Sequence, residues 1–406
     1  MCSKRLLVVG CGGQAFREYA LRNMAARADL VLLTEAEVAW AAPYVGESHV
    51  ASLTDVDGLV RLAAGLNLDG VLTYDEALVQ RTAELAARLG LGNPTPEAVR
   101  LCKDKSALRD RLTKAGLSPV RHGIAHTFDE AREVAARIGY PLVCKPPALG
   151  GSIGVVRVDD EEQLVESFGL ALDANYLGQT SAVAGVLIEE YLDGPEYSVD
   201  CAVWDGVAHP LVVANKELAF PPYFEELAHV VPAVVRPGLD KACEMVVDAH
   251  CVLGLDRLVT HTEFKLTSRG PRIVEVNARL GGDLIPYLGA LATGVDLAGA
   301  AADIALGIEP DIRAITVGVA SILMIYPPHA MRFEGLALRH RRDAYPGLVD
   351  LFSFQQPGAE LRLPPEGFLS RVGCVVVTGA THQECRNRRA AVEADLVVTG
   401  TPLDGA

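Results

Sequence analysis

The segment RLLVVGCGG, Arg5–Gly13, runs an unbroken apolar stretch straight into a glycine turn. FREYALRNMAAR follows with helical spacing, and ADLVLLTE is a second apolar run. The alternation returns in VDGLVRLAAGLN, LDGVLTYDE and ALVQRTAELAARLGL. A strand buried on one face alternates apolar and polar residues. A strand that is apolar throughout is covered on both faces, and intervening helices supply the cover. The chain is therefore expected to open with a parallel, Rossmann-like α/β unit over residues 1–100. The turn Gly10–Gly13 departs from the G-x-G-x-x-G dinucleotide fingerprint, and Glu35 is the one candidate acidic partner at the next strand end.

GNPTPEAV punctuates the chain after that unit. RLCKDKSALRDRLTKAGL reads as one amphipathic helix within a linker at 101–122. Residues 123–192 follow as a small α+β unit. In TFDEAREVAARIGY, Thr127 is the expected N-cap and Glu130 completes a capping box. PLVCKPP and VVRVDD are strands around the glycine loop ALGGSIGV, and AGVLIEEYL is a further strand. A larger sheet is expected over 193–310, with PPYFEELAHVVPA as a loop, and a C-terminal α+β unit over 311–406. A chain of 406 residues, half of them hydrophobic, supports several packed units.

The formal charge of -15 argues against nucleic-acid or anionic-membrane partners. No apolar run approaches membrane-spanning length, and the N-terminal one is too short for a secretion signal. Nine cysteines without a C-x-x-C fit thiols that are mostly buried, in a reducing cytoplasm.

Two stretches carry chemistry. In VCKPPALGGSIGVVRV, Lys145 ends a strand and small residues follow, so backbone N–H groups can approach phosphate oxygens beside a cation. In HTEFKLTSRGPRIVEVNARLGGD, polar residues recur at every second position on both sides of a TSRGP turn. Period two puts His261, Glu263 and Lys265 on one face of the first strand. It puts Glu275, Asn277 and Arg279 on one face of the second, with Val274, Val276 and Ala278 behind. With the turn centred near Arg269, Glu263 falls opposite Glu275 and His261 opposite Asn277. Like charges directly opposed are destabilising. Two carboxylates and an amide oxygen facing one way suit a hard divalent cation, and a solvated outer strand face is the alternative.

Taken in order, KDKSALRDRL, PLVCKPPALGGSIGV, VLIEEYLDGPEYSVD, HTEFKL and VEVNARLGGD resemble the motifs of the ATP-grasp ligases. They cover residues 103–283, and the flanking units extend the resemblance to nearly the whole chain. It implies a multidomain α/β and α+β architecture: an ATP-grasp fold between a Rossmann-like N-terminal domain and a C-terminal α+β domain. It also implies ATP and magnesium, with manganese as the alternative ion. By this resemblance Lys105 and Lys145 hold ATP phosphates, and Gly150, Gly151, Ser152 and Gly154 form the loop over them. Glu189 reads adenine by its side chain, Glu190 and Leu192 read it through the backbone, and Glu196 takes the ribose hydroxyls. Glu263, Glu275 and Asn277 hold the metal. Arg279 stabilises the acyl-phosphate and tetrahedral states, so Arg279, Lys145 and Gly282 form the catalytic group.

NKELAFPPYFEELAHVVPA resembles a loop of the L-amino-acid ligases, or dipeptide synthases. That implies Glu226, His229, Arg279, Gly281 and Gly282 around the substrates and Lys216 near ATP. The implied reaction joins an amino acid or small carboxylic acid to an amine, in a cytoplasmic, homodimeric enzyme of natural-product type. The alternatives are ATP-grasp chemistry of purine synthesis or carboxylation, and a non-catalytic nucleotide-binding regulator. Intact Glu263, Glu275, Asn277 and Arg279 argue against the regulator. His261 and Lys265 carry no assigned role.

Overall fold

The computed structural model describes residues 4–403 except 93, 177–178 and 316, and the side chains of 175–180 lie outside the description. The expected parallel sheet is present, in the order Glu47–Val50, Asp29–Thr34, Arg5–Val9 and Gly70–Leu72. Its inner strands are apolar for the anticipated reason. Leu6, Val8, Leu30 and Leu32 pack to one side and Leu7, Val9, Val31 and Leu33 to the other.

The second sheet is antiparallel, in the order His122–Ala125, Val186–Glu190, Leu142–Lys145 and Val156–Val158. Helices Phe128–Ile138 and Glu161–Leu172 pack against it. Thr127 caps the first by accepting from the Glu130 N–H, as the sequence indicates. The Glu130 carboxylate reaches one residue further back, to the His126 N–H.

The third sheet has eight strands, in the order Gly270–Asn277, Leu258–Thr267, Glu196–Trp204, Val207–Ala219, Glu225–Val231, Val319–Ile325, Gly373–Gly379 and Leu348–Ser353. The C-terminal segment thus shares a sheet with the segment before residue 310. Helix Leu239–Leu253 packs Ala242, Val246 and Ala249 onto Tyr197, Val199, Cys201, Phe264 and Val276. The opposite face carries Ser198, Asp200, His261 and Glu263, and this polar face builds the site.

Two local expectations are corrected. PPYFEELAHVVPA contains the strand Glu225–Val231, paired on both sides, where a loop is expected from its prolines and charges. Tertiary pairing overrides weak local propensity here. The linker is two helices, Pro96–Lys103 and Lys105–Lys114, not one. Asp104 ends the first and caps the second, its carboxylate accepting from the Ser106 and Ala107 N–H groups at 3.0 Å. An aspartate that binds nearby backbone N–H groups competes with helix continuation. The break turns Lys105 toward the glycine loop: its N–H meets the Pro147 carbonyl and its Nζ the Leu149 carbonyl at 2.6 Å.

No single helix among the described residues is long and apolar enough to cross a membrane.

Candidate active site

The hairpin has the register expected from its periodicity near the site: His261 pairs with Asn277 and Glu263 with Glu275. Beyond Glu263 the register slips, so that Phe264 meets Ile273 and Lys265 meets Arg272. Val274 is the extra residue of a β-bulge. Strict alternation places Val274 behind the sheet, and the bulge instead brings it into the pocket lined by Glu275. The same irregularity leaves the Ile273 and Val274 carbonyls for Arg109, at 2.7 and 2.8 Å.

A pocket of about 690 Å³ lies between the two antiparallel sheets. Lys105, Lys145 and Gly150–Ser152 line one end, and Val143, Tyr191, Leu192, Phe224 and Val274 make an apolar end. Gly151 and Ser152 have positive φ, and so does Gly154, where an added Cβ would sit 2.6 Å from the Ala174 Cβ. A wider cleft of about 2210 Å³ adjoins it, with Arg279, Gly282, Asp283 and Arg371 on its wall. Gly151, Glu226, Glu263 and Glu275 line both spaces.

Charges in the pocket are densely paired. Glu189 is 4% exposed and receives Arg109 Nε at 2.9 Å as well as the Lys145 ammonium. Burial opposes its ionisation, but the two cations outweigh it and hold the carboxyl at about 2. Lys145 responds the other way: burial outweighs the carboxylate it shares and lowers it to about 8. Fully buried Arg109 makes the larger contribution to holding Glu189 ionised, with Lys145 next.

Lys216 sits among three carboxylates, Glu226 at 2.8 Å, Glu263 at 2.9 Å and Glu196 at 3.0 Å. Burial disfavours its charge, yet the three anions raise it well above the ordinary lysine range. Glu275 accepts from Lys105 at 3.1 Å and from Asn277 Nδ2 at 2.8 Å. Burial works against ionisation of Glu263 and Glu275, but Lys216 and Lys105 respectively hold both below the usual carboxylate range.

The hairpin residues without an assigned role now have contacts. His261 bridges Asp200 at 2.5 Å and Glu263 at 3.4 Å. Burial opposes its charge, and Asp200 with Glu263 overcomes it, raising the imidazole to about 10. Lys265 donates to the Leu192 carbonyl at 3.1 Å and lies over the Tyr191 and Phe224 rings. The Glu190 carboxylate is taken up by Arg121 and Arg269, and its N–H by the Arg121 carbonyl.

On the cleft side, Arg279 Nε contacts Glu76 at 2.5 Å and its Nη1 the Leu280 carbonyl at 2.8 Å. Glu76 comes from the N-terminal unit and also holds Lys103 at 2.5 Å. His229 meets Asp283 at 3.3 Å.

Residues 138–287 match the ATP-grasp domain family. The chain carries an ATP-grasp domain over these residues. Alanine–anticapsin ligase of Bacillus subtilis is 29% identical over 57% of this chain and 53% of its own length. Human carnosine synthase 1 is 30% identical over 98% of this chain and 51% of its own length. The chain thus spans about half the length of both curated ligases. The crystal structure of an L-amino acid ligase from Bacillus licheniformis superposes with a TM-score of 0.83 at 24% identity, covering 99% of this chain and 100% of that one. The ATP-grasp fold therefore extends over the whole chain, flanking units included.

The sequence motifs supplied Lys105, Lys145, Glu263, Glu275 and Arg279, which line the connected pocket and cleft, and Asn277, which donates to Glu275. They did not reveal the pairings around the site: Arg109 with Glu189, Asp200 with His261, Glu76 with Arg279, Asp283 with His229, and Arg371 with Glu226. Arg109 lies inside KDKSALRDRL and Asp200 ends VLIEEYLDGPEYSVD, so both were in view. What was missing was their partners, 80 and 61 residues away.

Proposed function

We propose that this protein is an ATP-dependent carboxylate–amine ligase that joins an amino acid, or a similar small acid, to an amine through an acyl phosphate. The observation that carries the reading is the shared wall: a lysine-lined pocket opens into a wide cleft across Glu226, Glu263 and Glu275, with Arg279 beyond. The names of the relatives, an amino-acid ligase, an alanine–anticapsin ligase and a carnosine synthase, support amino acids as substrates.

In this reading the apolar end takes adenine and Glu196 takes the ribose. Lys105, Lys145 and the glycine loop hold the polyphosphate. Glu263, Glu275 and Asn277 suit a magnesium or manganese ion, because the set offers ionised oxygen donors on adjacent strands. Such an ion supplies neutralisation of the transferring phosphoryl group. Arg279, with its guanidinium anchored on two sides, holds the acid and faces the oxyanion that develops. Glu226, His229, Gly281 and Gly282 contact the substrates, and Lys216 exchanges its carboxylate partners for ligand oxygens. Closure of the glycine loop keeps water from the activated acid.

A phosphate-release screen of acid–amine pairs, with product masses, tests this. ADP release that requires both an acid and an amine is expected. Release driven by bicarbonate or purine intermediates alone, with every amino-acid pair silent, would overturn it. In Arg279→Ala, ATP binding should survive while ligation collapses.

A further inference from the structure

Arg371 lies outside every motif and comes from the C-terminal segment, yet it is 6% exposed and lines the substrate cleft. Its guanidinium is engaged on all sides. Nη1 donates to Asp283 at 2.6 Å, Nη2 to Glu226 at 3.1 Å and Nε to the Tyr326 hydroxyl at 3.1 Å. The three partners stand on three separate elements. Asp283 follows Arg279 on a turn with φ 49°, Glu226 is on the strand Glu225–Val231, and Tyr326 directly follows the strand Val319–Ile325. The Tyr326 hydroxyl lies 2.9 Å from the Glu226 carbonyl oxygen, so the same tyrosine ties down backbone and guanidinium together.

Glu226, His229 and Asp283 bring their ligand atoms within 4.8 Å of one another. Two carboxylates at that spacing repel each other unless a cation lies between them. Arg371 fills that place, so the cluster is neutralised by the protein itself. A planar guanidinium fixes the directions in which its two carboxylates and hydroxyl must lie, whereas the rotating donors of an ammonium, as on Lys216, do not.

We propose that Arg371 is a positioning residue through which the C-terminal segment sets the substrate-binding wall, by holding the Glu226 and Asp283 carboxylates side by side facing the acid bound at Arg279. The inference rests on the ligase reading and deepens it.

The test is steady-state kinetics of the full chain with an acid–amine pair that releases ADP. Failure of the unaltered chain with every pair counts against the ligase reading, not against Arg371. With a working pair, Arg371→Lys keeps the charge and loses the fork, so KM for the acid should rise about tenfold to a hundredfold, the range of a lost charge-assisted hydrogen bond. KM for ATP should stay within about twofold, since Arg371, Asp283 and Tyr326 lie outside the lysine-lined pocket and Lys216 keeps Glu196 and Glu263 as partners if Glu226 shifts. Millimolar guanidinium should restore part of the acid affinity of Arg371→Ala. A purely structural residue would lower the melting temperature and leave acid and ATP constants in their original ratio, which overturns the proposal. Should the Arg371 variants fail to fold, Tyr326→Phe removes the hydroxyl that meets Arg371 Nε, the Glu226 carbonyl and the Glu225 carboxylate, with no change of charge. A raised acid KM there supports the proposal and an unchanged one overturns it.

Discussion

The buried pair Arg109–Glu189 gives the sharpest energetic prediction. Glu189 is held at about 2 against an ordinary value of 4.5, which corresponds to roughly 3 kcal/mol of native-state stabilisation at neutral pH. Its folded value lies below its unfolded one. The stabilisation is therefore complete above the unfolded value and is lost as pH falls through about 2. Lys145, lowered to about 8 because burial outweighs its contact with the carboxylate, carries an opposing penalty of similar size at neutral pH, so the cycle is built on Arg109, the stronger of the two cations that hold Glu189. The perturbation is a double-mutant cycle of Arg109→Met and Glu189→Gln. Glu189→Gln alone should cost about 3–5 kcal/mol, because it strands Arg109 and Lys145 as buried cations without a carboxylate. The cycle should return a coupling energy of roughly 3 kcal/mol at pH 7 and markedly less at pH 2. Urea unfolding followed by tryptophan fluorescence is a suitable assay, since Trp204 ends a central strand of the eight-stranded sheet whose edge strand supplies two carbonyls to Arg109. Additive single effects at pH 7, with coupling below about 0.5 kcal/mol, would refute the reasoning.

Two further predictions concern the cleft. Glu76→Gln removes the ionic anchor of Arg279 at 2.5 Å, so ligation kcat should fall about tenfold to a hundredfold with KM for ATP unchanged, and equal loss of both would place Glu76 outside this role. Gly281→Ala puts a Cβ 2.9 Å from His261 Nδ1 and 3.0 Å from Asp200 Oδ2, so the imidazole must move from Glu263. Its expected result is a raised magnesium requirement in a metal titration of ligation, with ATP-independent folding retained.

What the sequence determined by itself is the part that repeats locally. Apolar strands alternating with helices gave the parallel sheet, and period two gave Glu263 opposite Glu275 and His261 opposite Asn277. These patterns need only neighbouring residues, because side-chain direction follows from backbone geometry. The tertiary structure decided the rest. The Val274 bulge, the strand Glu225–Val231 and the break at Asp104 each depend on what lies beside the segment. The partnerships that orient the reactive groups join distant positions: Arg109 with Glu189, 80 residues apart, Arg371 with Glu226, 145 apart, and Glu76 with Arg279, 203 apart. A charged residue alone in a sequence reads as a solvated surface group. Only burial, which makes an unpaired charge costly, turns it into half of a specific pair, and burial is a property of the folded chain.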